Sequence, residues 1–351
     1  MQVSATLSPP MSPGDRRPAR LSRVGVVALV LLTALFSIGV LALMLGITAV
    51  SAEEVLRIVF TDGGERVPRI VIWEVRLPRF LLGALAGAAL AVAGAMLQDA
   101  LNNELAEPGL LGVSTGASLI VAVVVIFNIA VPFGMLPVLA LIGGLAVGGV
   151  ILLATRITRD PVRMILIGAA LGALFSALIT AVIVLGSPDE IRVLYSYLVG
   201  SLIGRDWDDV RLALPWIAAA LPIALCFGRP LNLLQLGDDM AEGLGLPVFR
   251  TRTLIFTVAI ALQAAVVAVA GPIGFIALLA PHMVRGLLAT TDARQVLPIS
   301  ALVGAVLLTS ADLLARELFS PAELPVGLIT IGIGSPIALF LLRRLFIRRT
   351  A

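Results

Sequence analysis

The chain has few residues that could do chemistry, and its one histidine, His282, lies in the stretch GPIGFIALLAPHMVR. A histidine can ligate a metal, act as a general acid or base, or pack at a helix end. Metal sites usually need several ligands, and the chain contains only this one histidine and one cysteine, Cys226. We therefore predict neither a metal site nor a catalytic residue. We expect Pro281, His282 and Arg285 to lie at a helix end, where free carbonyl groups and the negative end of the helix dipole favour His and Arg.

Nucleotide hydrolysis is excluded by residue type. A phosphate-binding GxxxxGK[ST] loop needs a lysine, and all 25 basic residues of this chain are arginines. Acidic residues are scarce in the apolar segments. Asp312 is the exception, and Arg316 one helical turn later predicts an ion pair between the two. Without membrane-embedded carboxylates to bind protons or sodium ions, a transport function would need an energy source on another chain.

The composition indicates a membrane protein with several spans. Hydrophobic residues make up 59% of the chain, charged residues 13%, and the mean hydropathy is +1.07. Soluble domains carry about 25% charged residues. The arginines flank apolar runs, as in membrane proteins, and this pattern favours membrane flanks over nucleic-acid binding. Residues 1–22 are rich in proline and serine, which predicts a disordered cytoplasmic extension before a single domain over 23–349.

The apolar runs predict an all-α integral membrane protein with ten transmembrane helices, because a span needs about 20 mainly apolar residues. The predicted spans are 24–50, 80–97, 109–129, 134–155, 164–186, 210–228, 253–270, 272–289, 296–314 and 324–342. With the N-terminus inside, sixteen arginines lie on the inner side and nine on the outer side. This excess follows the positive-inside rule, so we expect both termini to be cytoplasmic.

Two local patterns add detail to this topology. The tetrapeptide AVAG occurs at 91–94 and at 268–271, in helices that would run in opposite directions. It suggests inverted repeats formed by helices two to five and seven to ten. In the longest inner connection, 228–252, the apolar residues Leu236, Met240 and Leu244 recur every four positions. This spacing predicts a short helix outside the membrane that suits docking by a soluble partner; an ordered loop is the alternative.

Several motifs together resemble one family. They are RLPRFLLGALAGAALAVAGAMLQ (76–98), LAEPGLLGVSTGAS (105–118), LIGAALGALFSAL, GPIGFIALLAPHMVR, ADLLAR (311–316) and ELPVGLITIGIGSPIALFLLRR (323–344). The chain resembles the FecCD-type permeases of bacterial ABC importers for iron–siderophore complexes, heme and cobalamin. The resemblance covers roughly residues 24–346 and implies the type II ABC importer permease fold. One departure is Asn102-Asn103-Glu104, where family members commonly carry Asn-Pro.

The resemblance also implies roles for individual residues. Arg76, Arg79 and Arg316 match positions that meet acidic residues of a substrate-binding protein, and charges at outer helix ends would orient such a partner. Asp160 and Pro161 match the inner gate. Residues 164–186 and 190–204 would line the path and its outer mouth. The segment that would contact an ATPase comprises Asp238, Asp239, Met240, Ala241, Glu242, Gly243, Leu244, Gly245 and Leu246.

The function implied by the resemblance is that of a permease subunit in the bacterial cytoplasmic (inner) membrane. It would form a homodimer, or a heterodimer with a close paralogue, and carry a metal chelate, with ferric siderophore as the first expectation. Two ATPase subunits would bind ATP and magnesium, so this chain would hold no cofactor. The other expected partners are a substrate-binding protein and membrane lipid. We expect no nucleic-acid partner. The alternatives are a heme or cobalamin importer permease and a stand-alone secondary transporter.

Overall fold

The computed structural model describes residues 17–46, 50–61, 65–132, 134–155 and 161–350. Within these ranges the chain folds into helices and their connections. The α-helices are α1 (Arg17–Met44), α2 (Ala52–Thr61), α3 (Arg66–Ile70), α4 (Leu77–Ala100), α5 (Val113–Ile126), α6 (Met135–Thr155), α7 (Pro161–Ile183), α8 (Pro188–Leu198), α9 (Trp207–Cys226), α10 (Gly228–Leu234), α11 (Asp238–Gly243), α12 (Val248–Ala270), α13 (Ile276–Leu288), α14 (Ala293–Glu317) and α15 (Val326–Thr350).

Each predicted span corresponds to one helix. Seven described segments are long and apolar enough to cross a membrane, and they contain α1, α4, α6, α7, α9, α12 and α14. The other three predicted spans correspond to shorter apolar helices at Val113–Ile126, Ile276–Leu288 and Val326–Phe340. The first helix begins at Arg17, earlier than the predicted boundary, and ends at Met44. Residues 1–16 of the predicted N-terminal extension lie outside the described residues.

The segment from Arg66 to Ala100 runs without interruption through α3, a π-helical stretch over Val71–Arg76, and α4. Pro78 is the second residue of α4, two positions after this stretch ends. Proline has no N–H group to bond the carbonyl four residues earlier, and wider helical turns accommodate such a missing bond. The sequence did not predict this feature, nor the short helices α2, α8 and α10, because none of them is a long apolar run.

The two halves of the bundle pack in the same way. Helix α4 packs mainly on α14, and α12 packs on α6, while α4 and α12 contact each other at the centre. The second helix of each half, α5 or α13, is short and follows a residue in the left-handed conformation, Gly112 at φ 72° or Phe275 at φ 68°. Since α5 and α13 run in opposite directions, this pattern is the one that an inverted repeat produces.

Small residues bring helix backbones into direct contact at the centre of the bundle. A Cβ atom added to Gly87 of α4 would lie 2.2 Å from the carbonyl oxygen of Gly304 in α14. One added to Gly94 would lie 1.9 Å from the carbonyl oxygen of Ala277 in α13. The glycine and alanine residues of 81–97 therefore serve close helix packing, as such residues do in membrane bundles.

The helix bundle has two ends, and we name each end after the short helix that lies there, α8 or α11. The α8 end contains the last turn of α1, the start of α4 and the last turn of α14, and the α11 end contains the last turn of α4 and the start of α12. The two ends hold separate clusters of charged residues.

Candidate functional site

A buried ion-pair cluster lies at the α8 end, centred on Arg79 of α4. Its guanidinium donates from Nε to Oδ2 of Asp312 at 2.9 Å and from Nη2 to Oδ1 of the same carboxylate at 2.9 Å. Its Nη1 donates to Oε2 of Glu323 at 2.6 Å. The two planar groups match in shape, so this pair fixes the start of α4 against the end of α14.

Two further arginines at this end bind the last carbonyl groups of α1. Arg76 Nη1 donates to the carbonyl oxygen of Leu43 at 2.6 Å, and Arg316 Nη2 donates to those of Ala42 and Leu45 at 2.8 and 2.9 Å. The final carbonyls of a helix have no partner within it and carry partial negative charge, so a cation satisfies both needs. These arginines therefore attach the end of α1 to α14 and to the π-helical stretch that precedes α4.

These contacts change two interpretations of the sequence. The prediction that Asp312 pairs with Arg316 is wrong, because the Asp312 carboxylate forms its ion pair with Arg79 of α4. Arg76, Arg79 and Arg316 are only 5–8% exposed, so their side chains are not rim charges. Their contact with a substrate-binding protein stays a prediction.

The connection between α7 and α9 forms a compact cover at the α8 end. Ser187 and Glu190 cap the start of α8, and the Tyr197 hydroxyl donates to the carbonyl oxygen of Val267 at 2.7 Å. Backbone bonds then join this connection to the ends of two helices: Ser201 N–H donates to the carbonyl oxygen of Ala270 in α12 at 2.8 Å, and Gly327 N–H of α15 donates to that of Gly200 at 3.0 Å. The connection between α8 and α9, the end of α12 and the start of α15 thus meet at the α8 end, and the path-lining role of residues 190–204 stays a prediction.

At the opposite end, the predicted short helix in 228–252 is confirmed. Helix α11 is preceded by Gly237, whose φ of 95° is a conformation that favours glycine. The apolar side chains of Leu236, Met240 and Leu244 are 59%, 58% and 58% exposed, and Ala241 faces the bundle. Exposed apolar side chains grouped in this way are typical of interaction surfaces.

Arg252 at the start of α12 joins α11 to α4. Its Nη1 and Nη2 donate to the two oxygens of Asp238 at 2.9 and 2.7 Å, and its Nε donates to the carbonyl oxygen of Ala100 at 3.0 Å. The hydrogen bonds from Arg252 hold the pKa of Asp238 below its usual value. Asp238 thus has a partner within the chain, whereas the sequence suggested only an ATPase contact for it.

The PHMVR motif also lies at the α11 end. Arg285 donates to Gln98 Oε1 at 2.7 Å and to Asp99 Oδ1 at 2.8 Å, so it binds the last turn of α4. His282 Nδ1 lies 3.8 Å from Glu104 Oε2, and Pro281 is buried inside α13. Among the described residues no group of three or more His, Cys, Asp or Glu side chains could hold a metal ion. The motif therefore connects α13 with α4 and with the connection that follows α4.

The predicted inner gate falls mostly outside the described part of the chain. Asp160 lies in the gap between α6 and α7, and Pro161 is the first residue of α7. The neighbouring contact is described: the 3-10 turn Pro108–Leu111 packs on α7, where a Cβ atom on Gly168 would lie 2.9 Å from the carbonyl oxygen of Leu110. The gate role of Asp160 and Pro161 stays a prediction.

Glu107 precedes this turn, and its carboxylate has no hydrogen bond or ion pair to any residue in the described part of the chain. Partial burial raises the pKa of Glu107 above its usual value. A raised folded-state pKa means that the folded chain binds this proton more tightly than the unfolded chain. Stability therefore falls as pH rises from the unfolded pKa through the folded one.

Replacing Glu107 with glutamine is expected to stabilise the protein at neutral pH, because the buried charge is removed. We expect the thermal unfolding midpoint in detergent to rise by roughly 2 °C near pH 7, and the gain to shrink towards pH 4. Glu242→Gln, which changes an exposed carboxylate on α11, is the matched control and should have no such effect. A Glu107→Gln gain that is equal at both pH values would contradict the assignment.

Known proteins are similar to this chain both in sequence and in fold. The profile of the FecCD transport family matches residues 30–344. The Fe(3+) dicitrate transport system permease protein FecD of Escherichia coli (strain K12) is 43% identical over 275 residues, covering 78% of this chain and 86% of that protein. The vitamin B12 import system permease protein BtuC of Escherichia coli O9:H4 (strain HS) is 40% identical over 284 residues, covering 81% and 85%.

A solved structure has the same fold. It is described as an inward-facing conformation of a transporter assigned to the metal-chelate type of ABC transporters. Its TM-score is 0.81 at 28% sequence identity, covering 91% of this chain and 99% of that one. The family profile, the relatives and the shared fold agree over most of the chain. The chain therefore belongs to the FecCD transport family.

Proposed function

We propose that this chain is the membrane-spanning permease subunit of an ATP-binding-cassette importer. The observation that carries the proposal is the short helix α11 at one end of the bundle. The large apolar side chains on and beside this helix are exposed, and its first residue is bonded to Arg252 of the bundle. A soluble subunit that binds Leu236, Met240 and Leu244 could move the bundle through this contact. This chain has no lysine for a phosphate-binding GxxxxGK[ST] loop, which supports nucleotide hydrolysis by that other subunit.

We propose a metal chelate as the cargo, with a ferric siderophore as the first candidate. FecD, named for Fe(3+) dicitrate, supports this choice. BtuC, named for vitamin B12, supports cobalamin as the alternative, and heme is a third chelate of similar bulk. A stand-alone secondary transporter has less support, because Asp312 and Asp99 are each paired with an arginine and are not free to bind a coupling ion.

The proposed assembly contains two permease chains, identical or closely paralogous, two ATPase subunits that bind ATP and magnesium, and an extracytoplasmic binding protein. The membrane is the bacterial cytoplasmic membrane. Arginine placement supports an orientation with both termini and the α11 end in the cytoplasm, and the α8 end outside. No nucleic-acid partner and no cofactor on this chain are proposed.

Reconstitution tests the proposal. Liposomes would contain this chain with its ATPase, and the binding protein would be added outside with radiolabelled ferric dicitrate, a ferric hydroxamate, heme or cobalamin. We expect uptake of at least one chelate that requires ATP and stops when the ATPase is inactivated. Uptake that continues without ATPase activity, or that follows a proton or sodium gradient, would contradict the proposal.

The exposed stripe on α11 gives a sharper prediction. The double variant Met240→Ser/Leu244→Ser is expected to weaken co-purification of the ATPase by about tenfold or more, because the contact loses two large apolar side chains. The thermal stability of the permease should stay unchanged, since both residues are exposed. Val193→Ser on α8 removes an equally exposed side chain at the other end and should leave ATPase binding intact. Equal loss in both variants would overturn the assignment of α11.

A further inference from the structure

Helix α11 is poorly fixed by its own packing. It has six residues, and only Ala241 among them is buried. Gly237 precedes it at φ 95° and Gly245 follows it at φ 86°, and a Cβ atom on either glycine would meet nothing within 4 Å. A displacement imposed on the exposed stripe could therefore be absorbed by rotation at these two glycines. A further contact is needed if the displacement is to reach the bundle.

The guanidinium of Arg252 supplies such a contact. It is nearly fully buried, and all three of its nitrogens are used: two on the Asp238 carboxylate and one on the carbonyl oxygen of Ala100. A bidentate arginine–carboxylate pair restrains orientation as well as distance. The first residue of α11 is thus connected through one planar group to the last residue of α4.

The last turn of α4 receives a second arginine. Arg285 of α13 binds Gln98 and Asp99, which directly precede Ala100. We name Gln98, Asp99, Ala100, Asp238, Arg252 and Arg285 the α4 junction. Through it, α11, α12 and α13 all contact one helical turn. Helix α4 then continues through the centre of the bundle to the ion-pair cluster of Arg79 at the α8 end.

We propose that Arg252 and Asp238 are positioning residues that make α11 and the last turn of α4 move as one unit, so that a displacement of α11 is passed to α4. This inference rests on the proposed function, because it assumes that an ATPase displaces α11. It assigns Asp238 a role inside the permease, distinct from direct contact with the ATPase. Because the hydrogen bonds from Arg252 lower the pKa of Asp238, its carboxylate stays charged at neutral pH.

The decisive variant is Asp238→Asn in the complete assembly of permease, ATPase and binding protein in liposomes. Asparagine has nearly the same shape, and Asp238 is half exposed, so the fold should be retained. ATP hydrolysis and uptake are measured in the same preparation, using the chelate from the panel that the unaltered assembly imports best. We expect hydrolysis within about twofold of the unaltered assembly and about tenfold less chelate imported per ATP, because bidentate pairing is lost.

Two further variants complete the test. Asp208→Asn makes the same change in the exposed pair with Arg211 at the α8 end, outside the segment assigned to the ATPase, and should leave the import per ATP unchanged. Asp238→Glu keeps the charge and should restore at least half of the import per ATP. A general loss of structure would lower hydrolysis and import together and would not show this separation.

The outcomes distinguish the inference from the proposed function. If the unaltered assembly imports no chelate with ATP, the proposed function fails. If the unaltered assembly works and Asp238→Asn imports as much per ATP, the inference is overturned. If Asp238→Asn loses ATPase binding, hydrolysis and import in proportion, Asp238 acts as an ATPase contact and the inference is again overturned.

Discussion

Replacing Gly87 with alanine is expected to separate α4 from α14 and to cost about 3 kcal/mol or more of stability. The added methyl group would lie 2.2 Å from the carbonyl oxygen of Gly304, and backbone atoms cannot turn aside as the tip of a side chain can. We expect a large loss of monodisperse protein in detergent and a lower thermal midpoint. Size-exclusion chromatography of the fluorescently tagged chain measures both.

Gly149 of α6 provides the matched control. A Cβ atom at this helical glycine would meet nothing within 4 Å. Alanine is the better helix former by roughly 1 kcal/mol, so Gly149→Ala should be neutral or slightly stabilising. Comparable losses in the two variants would show that the helix itself, and not the contact between α4 and α14, is sensitive at glycine.

The second large effect is expected for Arg79→Ala. The substitution leaves the carboxylates of Asp312 and Glu323 without their guanidinium partner inside the bundle. Removing one member of a buried ion pair typically costs about 3–5 kcal/mol. Thermal unfolding and resistance to protease in detergent measure the loss. The pair Arg79→Met/Asp312→Leu should recover part of it, because it removes charge from both sides of the contact.

Arg211→Ala provides the comparison for an exposed pair. Arg211 lies 2.9 Å from Asp208 with both side chains largely exposed, and such pairs contribute about 0–1 kcal/mol. The two variants also separate structure from docking at the α8 end. If Arg79→Ala weakens binding of the substrate-binding protein and leaves the stability of the permease unchanged, Arg79 is a docking residue and the structural role given to it here is wrong.

The sequence predicts the spanning helices well, because the hydropathy of about 20 residues in a row is set by the bilayer. It does not predict α2, α8 or α10, which are short and lie in connections. Their stability comes from packing on longer helices, as Tyr197 of α8 shows by bonding to Val267 in α12. The predicted end of the first helix at residue 50 was too late for a similar reason. The last carbonyl groups of α1 accept hydrogen bonds from arginines of other segments, and a hydropathy pattern within α1 contains no information about these bonds.

The candidate sites divide in the same way. Helix α11 could be predicted because its apolar residues repeat within the segment itself. The pairing of Asp312 could not, because Arg79 is 233 residues away while Arg316 lies at the spacing of a local pair. The pairing of Arg252 with Asp238 could not be predicted either, because no sequence periodicity distinguishes Arg252 from the other arginines near helix ends. Buried pairs between distant helices require the packing of the bundle, which composition and spacing do not contain.

The attachment of α1 has a consequence for the order in which the protein is made. Arg76 is 33 residues from the carbonyl that it binds, whereas Arg316 is 274 residues from Ala42. During synthesis α1 is made before Arg76 and long before α14, so Arg76 alone of these two arginines is present until α14 has been synthesised. The second arginine arrives only with α14. The second arginine contact with α1 therefore forms late in biogenesis, and chains truncated before α14 should keep only the Arg76 contact with the last carbonyls of this helix.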